Sequence, residues 1–132
     1  MVVRTVALVL GVVFLLIGIL GFVPGVTTGE GYLLGIFAVN PLHNVVHLVV
    51  GVLGVAAYYW ERYARLYCQV LGVFYLVIGV LGFIPGITVG GDMLLGVIHV
   101  NLADNLLHLV VGAVAAYFGF APQYSGRVSP TT

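Results

Sequence analysis

Residues 9–27 read VLGVVFLLIGILGFVPGVT, and residues 70–88 read VLGVFYLVIGVLGFIPGIT. In the same register, a shift of 61 residues, 25 of the 43 positions from 9 to 51 are identical to their counterparts. The identities include glycine, proline, asparagine and histidine, so they exceed the chance similarity of two apolar segments. Self-similarity of this extent at one fixed spacing indicates a tandem repeat of a single structural unit.

The quoted stretches belong to the first apolar segment of each repeat, which covers residues 5–23 and 66–84. A helix of this length spans roughly 28 Å, close to the thickness of the hydrocarbon core of a bilayer. A Pro-Gly pair follows each segment and is typical of a turn that ends a helix. Each repeat is therefore predicted to begin with a transmembrane helix.

The second apolar segment of each repeat, residues 33–59 and 94–120, is too long for one upright crossing. Asn40 is a preferred N-cap and Pro41 is favoured at the first helical position, so a new helix is predicted to run from there to residue 59. The apolar residues in front of it form either a re-entrant half-helix buried in protein or part of a continuous helix, and both interpretations stay open. These residues are 33–39 and 94–100.

The composition supports a membrane protein. Of the 132 residues, 62% are hydrophobic, and only four are basic and four acidic. A soluble domain carries roughly a quarter charged residues, whereas eight charges cannot cover the surface of this chain. The apolar side chains are expected to face lipid, so the bilayer is the first predicted partner. No basic field exists that would attract a nucleic acid, and that class of partner is excluded.

The charges also predict the topology. All four arginines flank the apolar segments at the termini or in the central linker, whereas Glu30 and Asp92 lie in the two hairpin loops. By the positive-inside rule, both termini are cytoplasmic. The four arginines are Arg4, Arg62, Arg65 and Arg127.

The predicted fold class is all-α, a four-helix transmembrane bundle made of two parallel helical hairpins. Repeat one covers residues 4–60 and repeat two residues 65–121, within a single bundle over residues 1–121. An even number of spans per repeat relates the copies by a pseudo-two-fold axis along the membrane normal. Residues 122–132 are predicted to form a flexible C-terminal tail.

Glycines recur at equivalent positions along the first helix of each repeat. A face without side chains lets transmembrane helices approach closely, or alternatively leaves room for a flat cofactor. The glycines are Gly11, Gly18, Gly21 and Gly25, with Gly72, Gly79, Gly82 and Gly86.

The second helix of each repeat carries a polar stripe at i, i+4, i+7 spacing. Polar side chains are costly in lipid, so the stripe is expected to face the interior of the bundle. The first asparagine of each stripe is predicted to be an N-cap, and the second to hydrogen-bond across helices. The stripes are Asn40, Asn44, His47 and Gly51 in repeat one, and Asn101, Asn105, His108 and Gly112 in repeat two.

Equivalent positions meet near a two-fold axis, so His47 is expected to approach His108, and His43 to approach Asp104, with His99 close by. Three imidazoles and a carboxylate suit zinc, copper or ferrous iron. Facing histidines would also suit a tetrapyrrole, as two ligands of haem iron or one ligand of a chlorophyll magnesium. A hydrogen-bond network without a ligand and a proton relay are further alternatives. The identity of any bound group stays open.

The sequence does not predict an enzyme, because it contains no HExxH motif, no phosphate-binding loop and no Ser-His-Asp pattern. The leading interpretation is an accessory or scaffold subunit that packs against other integral membrane proteins or self-associates. The alternatives are a stand-alone metal- or tetrapyrrole-binding protein and, last, a proton-conducting protein.

Three segments carry a resemblance to a known family: GFVPG at residues 21–25, NPLHNVVHL at 40–48 and NLADNLLHL at 101–109. They resemble a group of bacterial four-helix membrane proteins whose shared domain has no assigned function. The resemblance extends from about residue 4 to residue 120. It implies a multi-pass protein of the bacterial inner (cytoplasmic) membrane, and it implies no activity and no functional residue.

Overall fold

The computed structural model describes residues 1–90 and 92–122. It contains the predicted bundle of four helices, together with short strands in the two hairpin loops. The helices are α1 (Val2–Leu20), α2 (Pro41–Ala57), α3 (Glu61–Leu81) and α4 (Leu102–Phe120). The strands are β1 (Tyr32–Leu33), β2 (Phe37–Ala38), β3 (Thr88–Val89), β4 (Met93–Leu94) and β5 (Ile98–His99). All but the first residue of the predicted C-terminal tail, residues 122–132, lies outside the described residues.

Three helices in the described part of the chain, α1, α3 and α4, are long and apolar enough to cross a membrane, and α2 is a shorter apolar helix. The chain is therefore a small membrane protein. Helices α1 and α3 begin earlier than predicted because their first turns include polar residues. A helix can contain such residues where it extends beyond the hydrocarbon core of the bilayer. They also end earlier, since the chain already turns at Gly21 and Gly82, ahead of the Pro-Gly pairs.

The segments before α2 and α4 are neither re-entrant nor continuous helix, which corrects both open interpretations. Strand β1 pairs with β2, and β4 with β5, each in antiparallel register. The reversal in the first hairpin lies at Leu34 and Gly35, with φ of 54° and 71°; Leu95 and Gly96 repeat it with 51° and 74°. A right-handed helix cannot contain two such residues in sequence, so the chain forms a hairpin at both places.

The glycine face of each first helix contacts the backbone of the second helix. A Cβ atom on Gly11 would lie 2.6 Å from the Val55 nitrogen, and one on Gly51 would lie 2.6 Å from the Leu15 nitrogen. Gly72 and Gly112 make the equivalent contacts in repeat two. The glycines therefore serve close helix packing, and the space that a flat cofactor would need along these faces is filled by backbone.

Reciprocal contacts show the two-fold relation between the repeats. The Asn40 amide donates to the Val97 carbonyl at 2.8 Å, and the Asn101 amide donates to the Ile36 carbonyl at 2.7 Å. The N-terminus lies 3.8 Å from Glu61, so α1 and α3 begin at the same end of the bundle. The axis therefore runs along the helices, and each β-hairpin covers the end of the other repeat at which its second helix begins.

Candidate metal centre

Two asparagines determine where the polar helices begin. The Asn40 side chain accepts a hydrogen bond from the His43 backbone N–H at 2.9 Å. The Asn101 side chain accepts one from the Asp104 N–H, and the Asp104 carboxylate accepts from the Asn101 N–H in return, both at 3.0 Å. Asn40 and Asn101 are thus the N-caps, and the second forms a capping box. These caps place His43 and Asp104 at the third helical position, facing the other repeat.

Three histidines converge inside the bundle. One ring nitrogen from each of His43, His47 and His108 lies within 4.8 Å of the other two. The three residues are only 3%, 5% and 4% exposed. Nitrogens that share one ion at about 2.0 Å are separated by about 3.5 Å, so small side-chain adjustments bring all three to one ion. His47 approaches His108 as the repeat predicts.

The orientation of His43 is determined by two backbone carbonyls. Its Nδ1 lies 3.1 Å from the Ala38 oxygen and 2.9 Å from the His99 oxygen. A carbonyl oxygen only accepts, so Nδ1 carries the proton and donates. In the neutral ring, Nε2 then holds the free lone pair. Donation from the second ring nitrogen to a carbonyl is the usual arrangement of a metal-binding histidine.

The other two histidines lack such partners. The Nδ1 atoms of His47 and His108 are buried and have no hydrogen-bond partner among residues 1–90 and 92–122. Buried polar atoms are normally paired, and each unpaired one costs about 1–3 kcal/mol. A network of hydrogen bonds alone therefore does not account for these side chains. Coordination of a metal ion would give a role to ring nitrogens that have no hydrogen-bond partner.

Two aromatic rings close the site on the side away from the β-hairpins. Phe14 lies 5.3 Å from His47, Tyr75 lies 5.0 Å from His108, and the two rings are 5.1 Å apart, centroid to centroid. Both residues are buried, and they occupy equivalent positions in the two repeats. Sequence reasoning missed them. The available signal was spacing, because Phe14 follows Gly11 by three residues and so shares the inward-facing glycine stripe.

Asp104 lies outside the group of histidines, which differs from the expected contact with His43. Its Oδ2 accepts hydrogen bonds from the Ala38 N–H at 2.8 Å and from the Asn101 N–H at 3.0 Å. The difference arises from the β-hairpins, which insert their backbone between the two side chains. His43 donates to carbonyls of strands β2 and β5, and Asp104 accepts from an N–H of strand β2.

His99 also lies outside the group. Its Nδ1 is 3.3 Å from the Val39 carbonyl, and its Nε2 is 3.3 Å from an oxygen of Asp92. The side chain is therefore held among the hairpin loops, and His99 contributes to the site only through its backbone carbonyl, which accepts from His43.

Asn44 and Asn105 occupy notches on the neighbouring helices. A Cβ atom on Gly21 would overlap the Asn44 amide, and one on Gly82 would overlap the Asn105 amide. Their Oδ1 atoms are buried and have no hydrogen-bond partner in the described part of the chain. The expected interhelical hydrogen bond is therefore not made through these oxygens. The amide groups instead fill the space that a side chain at each glycine would occupy.

Comparisons with known proteins give one result. A family model described as a domain of unknown function (DUF4383) matches residues 4–121. No curated protein and no solved structure matches the chain.

Proposed function

This chain belongs to the DUF4383 family, a domain of unknown function, and we propose that it is a small, non-catalytic integral membrane protein that binds one transition-metal ion. The ligands are His43, His47 and His108. The proposal rests on one observation, the convergence of three buried imidazoles within 4.8 Å. Neutral imidazole is a ligand for zinc, copper and ferrous iron, and the carbonyl-bound Nδ1 of His43 directs its Nε2 lone pair away from the loops.

The surroundings favour holding an ion over performing a reaction. Cavities of about 450, 400 and 280 Å³ lie along the described helices and loops, and none of them is lined by the three histidines. A substrate would need such a space beside the ion. Phe14 and Tyr75 occupy the inner side of the site instead.

Tetrapyrrole binding and proton conduction have less support. A macrocycle would have to separate helices that contact each other at Gly11 and Gly51 through their backbones. A proton path would have to pass the apolar cluster below the site, in which Leu10, Leu71 and Ala115 are buried beside the two aromatic rings.

A role as an accessory or scaffold subunit is the second candidate, and it is compatible with metal binding. An open apolar groove of about 450 Å³ runs between α2 and α3, lined by Leu53, Trp60, Tyr67 and Phe74 among others. In a membrane such a groove suits a helix of another integral protein or of a second copy.

The metal proposal predicts one equivalent of a transition metal in the protein purified in mild detergent. Elemental analysis measures the metal, and an absorption spectrum of the same sample tests for a tetrapyrrole. A folded, metal-free protein that also fails to take up added copper, zinc or iron would contradict the proposal. A Soret band would favour the tetrapyrrole alternative.

We also propose that the protein lies in the bacterial inner membrane, as its resemblance to bacterial membrane proteins implies, and that both termini are in the cytoplasm, as the arginine distribution favours. Glu30→Cys is then expected to react with a membrane-impermeant maleimide in intact spheroplasts, and Arg62→Cys to react only after lysis. Glu30 and Arg62 are both exposed, and the native Cys68 is buried, so the unmodified chain serves as the control. The reverse labelling pattern would invert the topology.

A further inference from the structure

We propose that the three-histidine site selects a cuprous ion over divalent metals. This inference rests on the proposed function, since it names the ion that the same site holds. It follows from the charge of the ligands, from their number, and from the side chains that surround them.

The charge of the ligand set favours a monovalent ion. The three imidazoles are neutral, and no carboxylate or thiolate of the described residues joins the group. The electrostatic cost of transferring an ion from water into an apolar interior rises with the square of its charge, so a divalent ion pays about four times as much as a monovalent one. A divalent ion in this site would therefore keep more uncompensated charge than a monovalent one.

A carboxylate near the ligand rings, that of Asp104, is bound to the backbone and does not reach the ion. Asp104 Oδ2 accepts from the Ala38 N–H, and the Ala38 carbonyl accepts from His43. One carboxylate thus lies two hydrogen bonds from the ligand ring without entering the group. A single negative charge in this position balances a monovalent ion, whereas it leaves a divalent ion with one uncompensated charge in the membrane interior.

The number of ligands points the same way. Zinc in protein sites is almost always four-coordinate, with a water in the fourth position when only three protein ligands are present. Here Phe14 and Tyr75 pack against the histidines, and both rings are buried, at 3% and 1% exposure. They fill one side of the group with aromatic rings, which disfavours a water ligand there. A cuprous ion has the same filled d shell as zinc but half its charge, and it is stable with three nitrogen ligands and no water.

The test is a pair of anaerobic competition titrations on the purified full-length protein. Cuprous ion is presented in a chromophoric cuprous chelator, and zinc in a chromophoric zinc chelator. We expect one cuprous ion per chain, held at least ~100-fold more tightly than zinc, and an X-ray absorption spectrum with three nitrogen neighbours and no sulfur.

The possible results separate the two proposals. If zinc binds as tightly as the cuprous ion, and the binding needs the three histidines, the metal site stands and the cuprous preference is wrong. If neither ion binds, and added ferrous iron does not bind either, the proposed function fails. Sulfur in the copper shell would place the ion elsewhere in the chain and overturn both.

A positioning role for Asp104 is tested by Asp104→Asn, which keeps the shape of the side chain and removes its charge. We expect cuprous affinity to fall ~10- to 100-fold, as for loss of an outer-shell partner, with an unchanged three-nitrogen spectrum. The preference over zinc should shrink at the same time, because the balancing charge is gone. Glu30→Gln, which removes the charge of an exposed carboxylate in the first hairpin loop, is the matched control and should leave both affinities unchanged.

Discussion

Replacing His47 and His108 together with leucine is expected to abolish metal binding while leaving the metal-free protein at least as stable as before. The first effect follows because only His43 would remain of the three converging side chains. We expect the dissociation constant of the metal to rise by more than ~100-fold, which exceeds the effect of losing a hydrogen-bond partner of a metal ligand. Metal content after purification and a competition titration measure this loss.

The second effect separates a metal site from a structural network. In the metal-free protein, the Nδ1 atoms of His47 and His108 are buried without partners, and each costs about 1–3 kcal/mol. An apolar side chain of similar volume removes that cost, so the free energy of unfolding in mixed micelles should be equal or higher. If the histidines instead hold the bundle together by hydrogen bonds, the leucine variant will unfold more readily than the metal-free parent.

The control for this variant is His99→Leu. His99 is also a histidine near the outer end of the bundle, but its ring binds Val39 and Asp92 and lies outside the group of three. The substitution keeps the backbone carbonyl that accepts from His43, so metal content should be unchanged in this variant. Loss of the metal in both variants would show that the site extends into the outer loops.

Gly11→Leu is expected to separate α1 from α2 and to cost more than ~3 kcal/mol of stability, above the usual range for overpacking. A Cβ atom at this position would lie 2.6 Å from the Val55 nitrogen and 2.8 Å from the Gly54 carbonyl carbon. Both contacts are backbone atoms, so no rotamer change can relieve the overlap, and the helices must move apart. The higher helix propensity of leucine offsets at most about 1 kcal/mol. Steric trapping or denaturation in mixed micelles measures the change.

Gly29→Leu provides the matched control for the glycine variant. A Cβ atom there would meet nothing within 4 Å, and the backbone of Gly29 is not in the left-handed region. Its stability should change by less than ~0.5 kcal/mol, as for an ordinary surface substitution. Equal destabilisation by the two substitutions would mean that the contact between α1 and α2 does not limit the stability of the bundle.

Several features of the protein follow from sequence because they depend on local patterns. The repeat and the apolar lengths predicted four helices, and the Asn-Pro pair predicted the start of α2 at Pro41. The polar stripe at helical spacing placed His47 and His108 on inward-facing surfaces. The repeat then brought them together, since equivalent positions meet at a two-fold axis.

Tertiary structure alone decided how the site is completed. The two β-hairpins exchange between repeats, so His43 is held by the carbonyl of His99, 56 residues away, and Asp104 by the N–H of Ala38, 66 residues away. No local pattern records such partners, because a backbone N–H or carbonyl belongs to every residue type. For the same reason the sequence predicted Asp104 as a ligand. Residue type and spacing determine which face of a helix is polar, but only the crossing of the two hairpins determines which nitrogen on that face keeps a free lone pair.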